Sequence, residues 1–204
     1  GEGGDIFGFV MRYEKLEFKE TLKLLAAKAG VELAIYQANP QAHAEKEMAT
    51  RINIFAAKYY HNVFLSEAGV EAKEYLTKRN LTAATIKQWQ IGYSPNDFGA
   101  LKQALLAKDV SLEAMVKAGV AGKNDRGQIY DRFRDRITFP IQNFSGDVVG
   151  FSARQLHDSN QGGKYINSPE TTIYHKSEIL FGLFQAKSAI RDRDAVVIVE
   201  GQMD

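Results

Sequence analysis

Cysteine is absent from this chain. That excludes disulfides, a thiol nucleophile and a Cys-based zinc site within these residues, and it fits a reducing compartment. Proline is scarce, with 4 residues, and the 17 glycines follow no repeat, which excludes collagen-like and linker-dominated chains. No apolar run approaches the ~18 residues that crossing a bilayer requires, so no membrane partner is expected. The opening residues lack the basic-then-apolar order of a signal peptide. What is present is an ordinary globular balance, 45% hydrophobic and 25% charged in 204 residues. That suffices for one large domain or for a small and a medium one.

The net charge of +1 conceals an asymmetry. Residues 1–122 carry 15 Lys+Arg against 14 Asp+Glu, and only three of the cations are Arg. Residues 123–193 carry 11 against 8, and seven of the 11 are Arg. Arg forks onto phosphate and carboxylate, whereas Lys mostly solvates a surface. An anionic partner is therefore expected on the second stretch.

The hydrophobic period divides the chain in the same way. Asp5 predicts a cap for a helix over 6–13, and Gly30 a stop for one over 18–29. Residues 36–47 are polar, contain Pro40 and have no apolar period, so they read as a linker. Ile52, Phe55, Ala56, Tyr59, Tyr60 and Val63 recur at three and four and predict a long helix over 48–65. Helices are expected over 70–79, 82–90, 98–106 and 111–118, the last capped by Ser111. Residues 91–95 break the pattern. Residues 129–133 and 136–141 read as extended, Ser145-Gly146-Asp147 as a hairpin turn, and 148–154 as its second strand. A flexible loop over 158–163, a short extended 164–167 and a helix over 180–191 follow. Residues 195–199 are a continuous β-branched run, the pattern of a central parallel strand.

Three segments could carry chemistry. Glu200-Gly201-Gln202-Met203-Asp204 follows the last strand, where open α/β sheets place ligands. Glu200 could bind a divalent cation or accept a proton, with Asp204 in support; an acidic residue solvating a strand end is the other reading. In Arg132-Phe133-Arg134-Asp135-Arg136, strand alternation puts Arg132, Arg134 and Arg136 on one face. Three guanidinium groups there call for anions, with Asp131 and Asp135 neutralising part of the charge. A charged edge strand guarded against aggregation is the alternative. Arg154, Lys164 and Lys176 follow nearby. Lys164-Tyr165-Ile166-Asn167 then offers a cation, a ring and an amide, a usable set for a nucleotide, or a plain loop. His43, His61, His157 and His175 have no metal-ligand spacing and read as surface residues. Trp89 and Tyr93 read as core.

Taken in order, these segments resemble the bacterial primase family of the DnaG type. The resemblance rests on Tyr130-Asp131-Arg132-Phe133-Arg134-Asp135-Arg136-Ile137-Thr138-Phe139-Pro140-Ile141 and on Gly146-Asp147-Val148-Val149-Gly150-Phe151-Ser152-Ala153-Arg154. Lys164-Tyr165-Ile166-Asn167-Ser168-Pro169-Glu170-Thr171, Tyr174-His175-Lys176 and Leu180-Phe181-Gly182-Leu183 continue it. Val197-Ile198-Val199-Glu200-Gly201-Gln202-Met203-Asp204 looks like the opening strand and acidic motif of a Toprim fold. Tyr75-Leu76-Thr77-Lys78-Arg79 and Ile91-Gly92-Tyr93-Ser94-Pro95 extend the likeness into the helices. Asn80 stands where the family has Gly, and Gln88 where a basic residue is common.

The resemblance implies an α/β fold: a mixed α+β amino-terminal lobe leading into the first parallel strand of a Toprim fold. Residues 1–35 would be the tail of a zinc-binding domain, 36–47 a linker, 48–193 the lobe, and 194–204 the first Toprim strand with its acidic motif. It implies a fragment of a DNA primase, a nucleotidyltransferase that joins ribonucleoside triphosphates into short primers on a single-stranded DNA template. Glu200 and Asp204 would be catalytic, and Glu200 would hold Mg²⁺ or Mn²⁺. Arg132, Arg134, Arg136, Arg154, Lys164, Asn167 and Lys176 would line the groove for template and nucleotide. Zn²⁺ would sit in an upstream domain, a replicative helicase would bind through another domain, and the setting would be the bacterial cytoplasm. Two rivals stand beside this: another Toprim enzyme, a topoisomerase or nuclease, and a non-catalytic module that binds single-stranded DNA.

Overall fold

The computed structural model of the chain describes residues 4–31, 40–157 and 163–203. Contacts divide it into two units, Gly1–Pro40 and Gln41–Asp204. In the first, α1 (Ile6–Glu14) begins where the Asp5 carboxylate accepts the Gly8 N–H at 2.7 Å, satisfying one of the orphan donors of the first turn. α2 (Phe18–Ala29) opens on a reciprocal capping box of Glu17 and Glu20 and stops at Gly30, φ 65°. Only glycine enters that left-handed region freely. Both helices lie where Asp5 and Gly30 predict them.

The second unit runs α3 (Pro40–Leu65), α4 (Val70–Lys78), α5 (Ala83–Gln88), β1 (Gly92–Ser94), α6 (Ala100–Leu106) and α7 (Leu112–Lys117). It continues with β2 (Ala121–Lys123), β3 (Ile129–Asp131), β4 (Arg136–Gln142), β5 (Val148–Gln155), β6 (Tyr165–Asn167) and α8 (Leu183–Arg193). α3 starts eight residues earlier than its apolar period suggests. Residues 40–47, expected as linker, are its first two turns; 36–39 lie outside the described residues. Pro40 suits a first helical position, which needs no N–H. These turns are mostly exposed, so they leave no apolar trace. They are tied down instead by Lys117 of α7, whose ammonium reaches Glu45 at 3.0 Å and Glu113 at 3.1 Å.

Four strands form an antiparallel sheet in the order β1-β4-β5-β6, and β2-β3 make a separate hairpin. The β4–β5 turn is built by Asn143, whose side-chain oxygen accepts the N–H groups of Ser145 and Asp147. Register then sorts the side chains. Ile137 pairs with Arg154 and Phe139 with Ser152 on one face; Thr138 pairs with Ala153 and Pro140 with Phe151 on the other. On the second face Phe151 and Ala153 meet Ile52, Ala56 and Tyr60 of α3. Tyr60, Phe133 and Phe151 cross edge-to-face at 5.6–6.4 Å, each pair adding about 0.5–1.5 kcal/mol beyond burial. On the first face Ile137 and Phe139 meet Phe64, Leu76, Ile86 and Tyr93. Tyr93 is core, as expected, and Trp89 packs against the same cluster and stacks on Phe181 at 5.3 Å.

β1 falls where the sequence shows only a break in helical pattern, because three residues are too few to alternate visibly. Pairing with β4 makes them a strand. Residues 195–199, expected as a parallel strand, form none. Val197 is 87% and Ile198 81% exposed. A buried strand needs hydrogen-bonding neighbours, and every described strand pairs antiparallel with others.

Gly92 sits where α3 passes over β1. A Cβ there would lie 2.6 Å from the main-chain carbon of Tyr60, and the Ile91 carbonyl is held by His61 Nδ1 at 2.8 Å. Neither backbone can retreat. Gly92→Ala should destabilise the second unit by about 1–3 kcal/mol, the usual cost of overpacking, read as a lowered denaturant midpoint with unchanged slope.

Candidate nucleic-acid interface

The first face of the sheet carries more than core. Arg154 lies between Ile137 on β4 and Tyr165 on β6, so one register places a guanidinium beside an aromatic ring. The guanidinium carbon sits 4.2 Å from the Tyr75 ring centre on α4, and that of Arg79 approaches the same ring at 5.7 Å. Arg154 also donates to the Gln155 carbonyl at 2.8 Å, while its Nε and the buried Tyr75 hydroxyl have no hydrogen-bond partner. Tyr165 is 38% exposed. Burial raises its hydroxyl pKa, against a lowering by Arg154. The result is a layered set of two cations and two rings at the edge of the sheet.

Arg132, Arg134 and Arg136 do not share a strand face. Residues 132–135 leave the ladder, and Asp135 turns left-handed at φ 51°, which destroys the alternation on which that expectation rests. Each Arg is used differently. Arg132 donates through Nε and Nη2 to the Asn167 carbonyl at 3.3 and 3.1 Å. Arg136 is buried and donates to the carbonyls of Ala153, Gly163 and Lys164 at 3.0–3.4 Å. These two grip both ends of the segment 163–167, leaving Lys164 exposed and Asn167 half-buried. Arg134 donates to the Asp131 carbonyl at 2.6 Å and lies 4.4 and 5.0 Å from the ring centres of Phe98 and Tyr130.

None of these guanidinium groups, nor Arg154, has a carboxylate within ion-pair distance among the described residues. The two acids expected to neutralise them are committed elsewhere. Asp131 accepts the N–H groups of Leu101 and Lys102 at 2.7 and 2.9 Å; burial still raises its pKa against that pull. Asp135 accepts from the Tyr93 hydroxyl at 3.0 Å and faces His157. Burial pulls the pKa of Arg132 and Arg136 down, the mark of cations lacking a compensating anion.

Lys176 is held by its main chain: its N–H donates to Glu170, which also meets His175 Nδ1 at 3.0 Å. That amide, then the histidine, hold the Glu170 carboxyl below its usual range. Glu200 is exposed, and Asp204 lies outside the described residues. A hard divalent cation takes about six oxygens. Among the described residues no three acidic or imidazole groups converge to supply them, so the residues present do not make a metal site. The cleft of ≈ 330 Å³ between α3 and α7 offers no anion site either, since its cation, Lys117, is already held by Glu45 and Glu113.

Sequence reasoning missed Tyr75 as the partner of Arg154 and Arg79 as the second cation over that ring. They stand four apart, Tyr75 on α4 and Arg79 at its C-cap, the spacing of one helix face, but nothing local shows what that face meets. Asn80 is left-handed at φ 61°, a region that Asn and Asp visit more readily than other side chains with a Cβ.

The family model for the N-terminal domain of the DNA primase catalytic core matches residues 59–187. This chain belongs to that family. The DNA primase of Mycolicibacterium smegmatis is 36% identical over 210 residues, which cover 100% of this chain and 33% of that protein. The chain thus spans about a third of that relative's length. The RNA polymerase domain of the Mycobacterium tuberculosis primase DnaG superposes with a TM-score of 0.72 at 34% identity, covering 77% of this chain and 51% of that one. A DnaG primase catalytic domain bound to single-stranded DNA gives 0.67 at 31% identity, covering 72% and 47%. The zinc-binding and RNA polymerase domains of the Aquifex aeolicus primase give 0.71 at 29% identity, covering 99% and 48%. The mixed helix-and-sheet lobe expected from the sequence is therefore the fold of this family.

One ion-pair cluster borders the interface. His157, just past β5, turns Nδ1 to Asp135 at 2.9 Å and Nε2 to Glu71 of α4 at 2.8 Å. Both nitrogens donate only in the imidazolium form, and the Asp135 hydrogen bond, with lesser help from Glu71, raises the pKa above 6.5. The folded state therefore binds the proton more tightly than the unfolded one. With both carboxylates ionised, the stabilisation is complete below about pH 6.5 and fades as pH rises through the elevated folded value. Denaturant midpoints should fall more steeply over that window in the parent chain than in His157→Gln.

Proposed function

We propose that the β6 side of the sheet, where Lys164 and Tyr165 are exposed beside Arg154, Tyr75 and Arg79, binds single-stranded DNA template in a primase. The observation that carries this is a set of guanidinium groups fixed by carbonyls and rings, with their charge left over for phosphate. The exposed Tyr165 ring beside them suits an unstacked base. Arg132 and Arg136 act by holding residues 163–167, so that Lys164 and Asn167 face the strand. Arg134, between Phe98 and Tyr130, and Lys176 add positive charge around it.

The activity proposed for the whole protein is DNA-templated joining of ribonucleoside triphosphates into short primers. Glu200 is proposed as one acidic ligand for Mg²⁺ or Mn²⁺, supported by Asp204; the described residues alone do not complete that site, and no step is derived through it. The family likeness also supports Zn²⁺ in a neighbouring domain, a replicative helicase as partner, and work in the bacterial cytoplasm. A second reading, a module that binds single-stranded DNA without catalysis, is favoured by Glu200 joining no cluster of three acidic or imidazole groups among the described residues.

Binding of oligo-dT by Lys164→Ala and Arg154→Ala, measured against salt, tests the interface. For every phosphate that a variant no longer neutralises, the slope of log affinity against log salt should flatten by about 0.7. Unchanged affinity and slope in both variants would remove the interface. In a chain that supports template-dependent ribonucleotide incorporation, Glu200→Gln should abolish synthesis and spare DNA binding. Synthesis retained by that variant would remove Glu200 from the mechanism.

A further inference from the structure

The turn Gly201–Met203 is not loose at the end of an exposed segment. The Gln202 carboxamide donates to the Ser152 hydroxyl at 3.0 Å, and Met203 packs against the cluster that contains Ile137 and Phe139. Ser152 is 1% exposed. It lies between Phe139 and Asn167 on the same sheet face as Arg154, two residues along β5. Two interactions of different kinds, one polar and one apolar, thus seat the turn on the face that carries the cation–ring stack. The preceding residues 196–199 have no such seat and are more than half exposed.

We propose that Gln202 is a positioning residue: its carboxamide on Ser152 holds the acidic motif against the nucleic-acid face and thereby fixes where Glu200 stands relative to Arg154. The distances allow it. Two residues along a strand span about 7 Å, and two residues of chain from Gln202 back to Glu200 span at most about 7 Å. With the side-chain bridge added, the Glu200 backbone is therefore held within on the order of 25 Å of Arg154, a range that several nucleotides of a bound strand cover. Removing the hydrogen bond leaves the turn with the Met203 contact alone. This inference rests on the proposed interface only for its meaning; the positioning itself is measurable without DNA.

The absence of native cysteine makes paired spin labels straightforward. Labels at Val197→Cys, on the exposed segment, and Lys58→Cys, on the outer surface of α3, report the distance between motif and lobe by pulsed electron resonance. The expected result is a single narrow distribution in the parent background. Gln202→Met, which keeps length and removes the carboxamide, should broaden it at least twofold, and Ser152→Ala should do the same. Gln202→Glu, whose carboxylate accepts from the Ser152 hydroxyl, should stay narrow. The double variant should be no broader than either single one. Thermal midpoints should change little and oligo-dT affinity should be unchanged, separating loss of position from loss of fold. In a chain competent for synthesis, Gln202→Met should lower kcat at least tenfold and leave nucleotide KM within twofold. A broad distribution in the parent background, or a narrow one in Gln202→Met, would overturn the proposal. Loss of oligo-dT binding by the parent chain would instead strike the interface and leave the distance result standing.

Discussion

Ile137 stands opposite Arg154 in the β4–β5 ladder, and nearly everything that matters about this molecule follows from that alignment. A slip of one residue would exchange the two faces of β5. Arg154 would enter the cluster around Tyr60, and Phe151 would be turned out. The cost of an unpaired guanidinium among aromatic rings makes the register close to obligatory. The Asn143 turn fixes it from one end. Arg136, which donates to the Ala153 carbonyl on the neighbouring strand, fixes it from the other.

The same guanidinium groups show how a nearly neutral chain holds cations that no carboxylate pairs among the described residues. A net charge of +1 says little about local field, because the acids near β3 and β4 are consumed by other duties. Asp131 caps α6 and Asp135 joins Tyr93 to His157. Carbonyls and rings then orient Arg132, Arg134, Arg136 and Arg154 without cancelling their charge. Such groups cost no reorganisation when an anion arrives, and a phosphate that meets them recovers part of the burial penalty already incurred. Rigid donors around an exposed Lys164 are a better basis for binding than the count of cations alone.

Most helices are legible because each carries its own stop signals: Asp5 and Ser111 as caps, Gly30 as a terminator, and the three-four apolar period of α3 beyond Met48. What stays hidden has no local signature. The first turns of α3 face solvent, and their polar residues look like linker until Lys117 is seen to bind Glu45. β1 is a strand only because β4 lies beside it. Residues 195–199 have the composition of a buried strand, yet composition cannot supply the neighbours that a strand needs. Alternation puts the three Arg of 132–136 on one face only if it extends through Asp135, whose left-handed backbone ends it.

The sequence by itself determined the class of the protein and the chemistry on offer: the ordered motifs from Tyr130 to Asp204, the Arg-rich second stretch, the ring and amide of residues 164–167. Those are properties of residue identity and order, which local rules can read. Tertiary structure alone decided which cations are left to bind and which hold the fold. Arg136 and Arg154 are the same residue type on neighbouring strands and both are buried, one held by three carbonyls and the other layered on Tyr75 with its Nε unpartnered. It also decided that Gln202 meets Ser152 across 50 residues. Side-chain partners at that separation are chosen by packing and register, whose energies are shared among many residues and written at no single position.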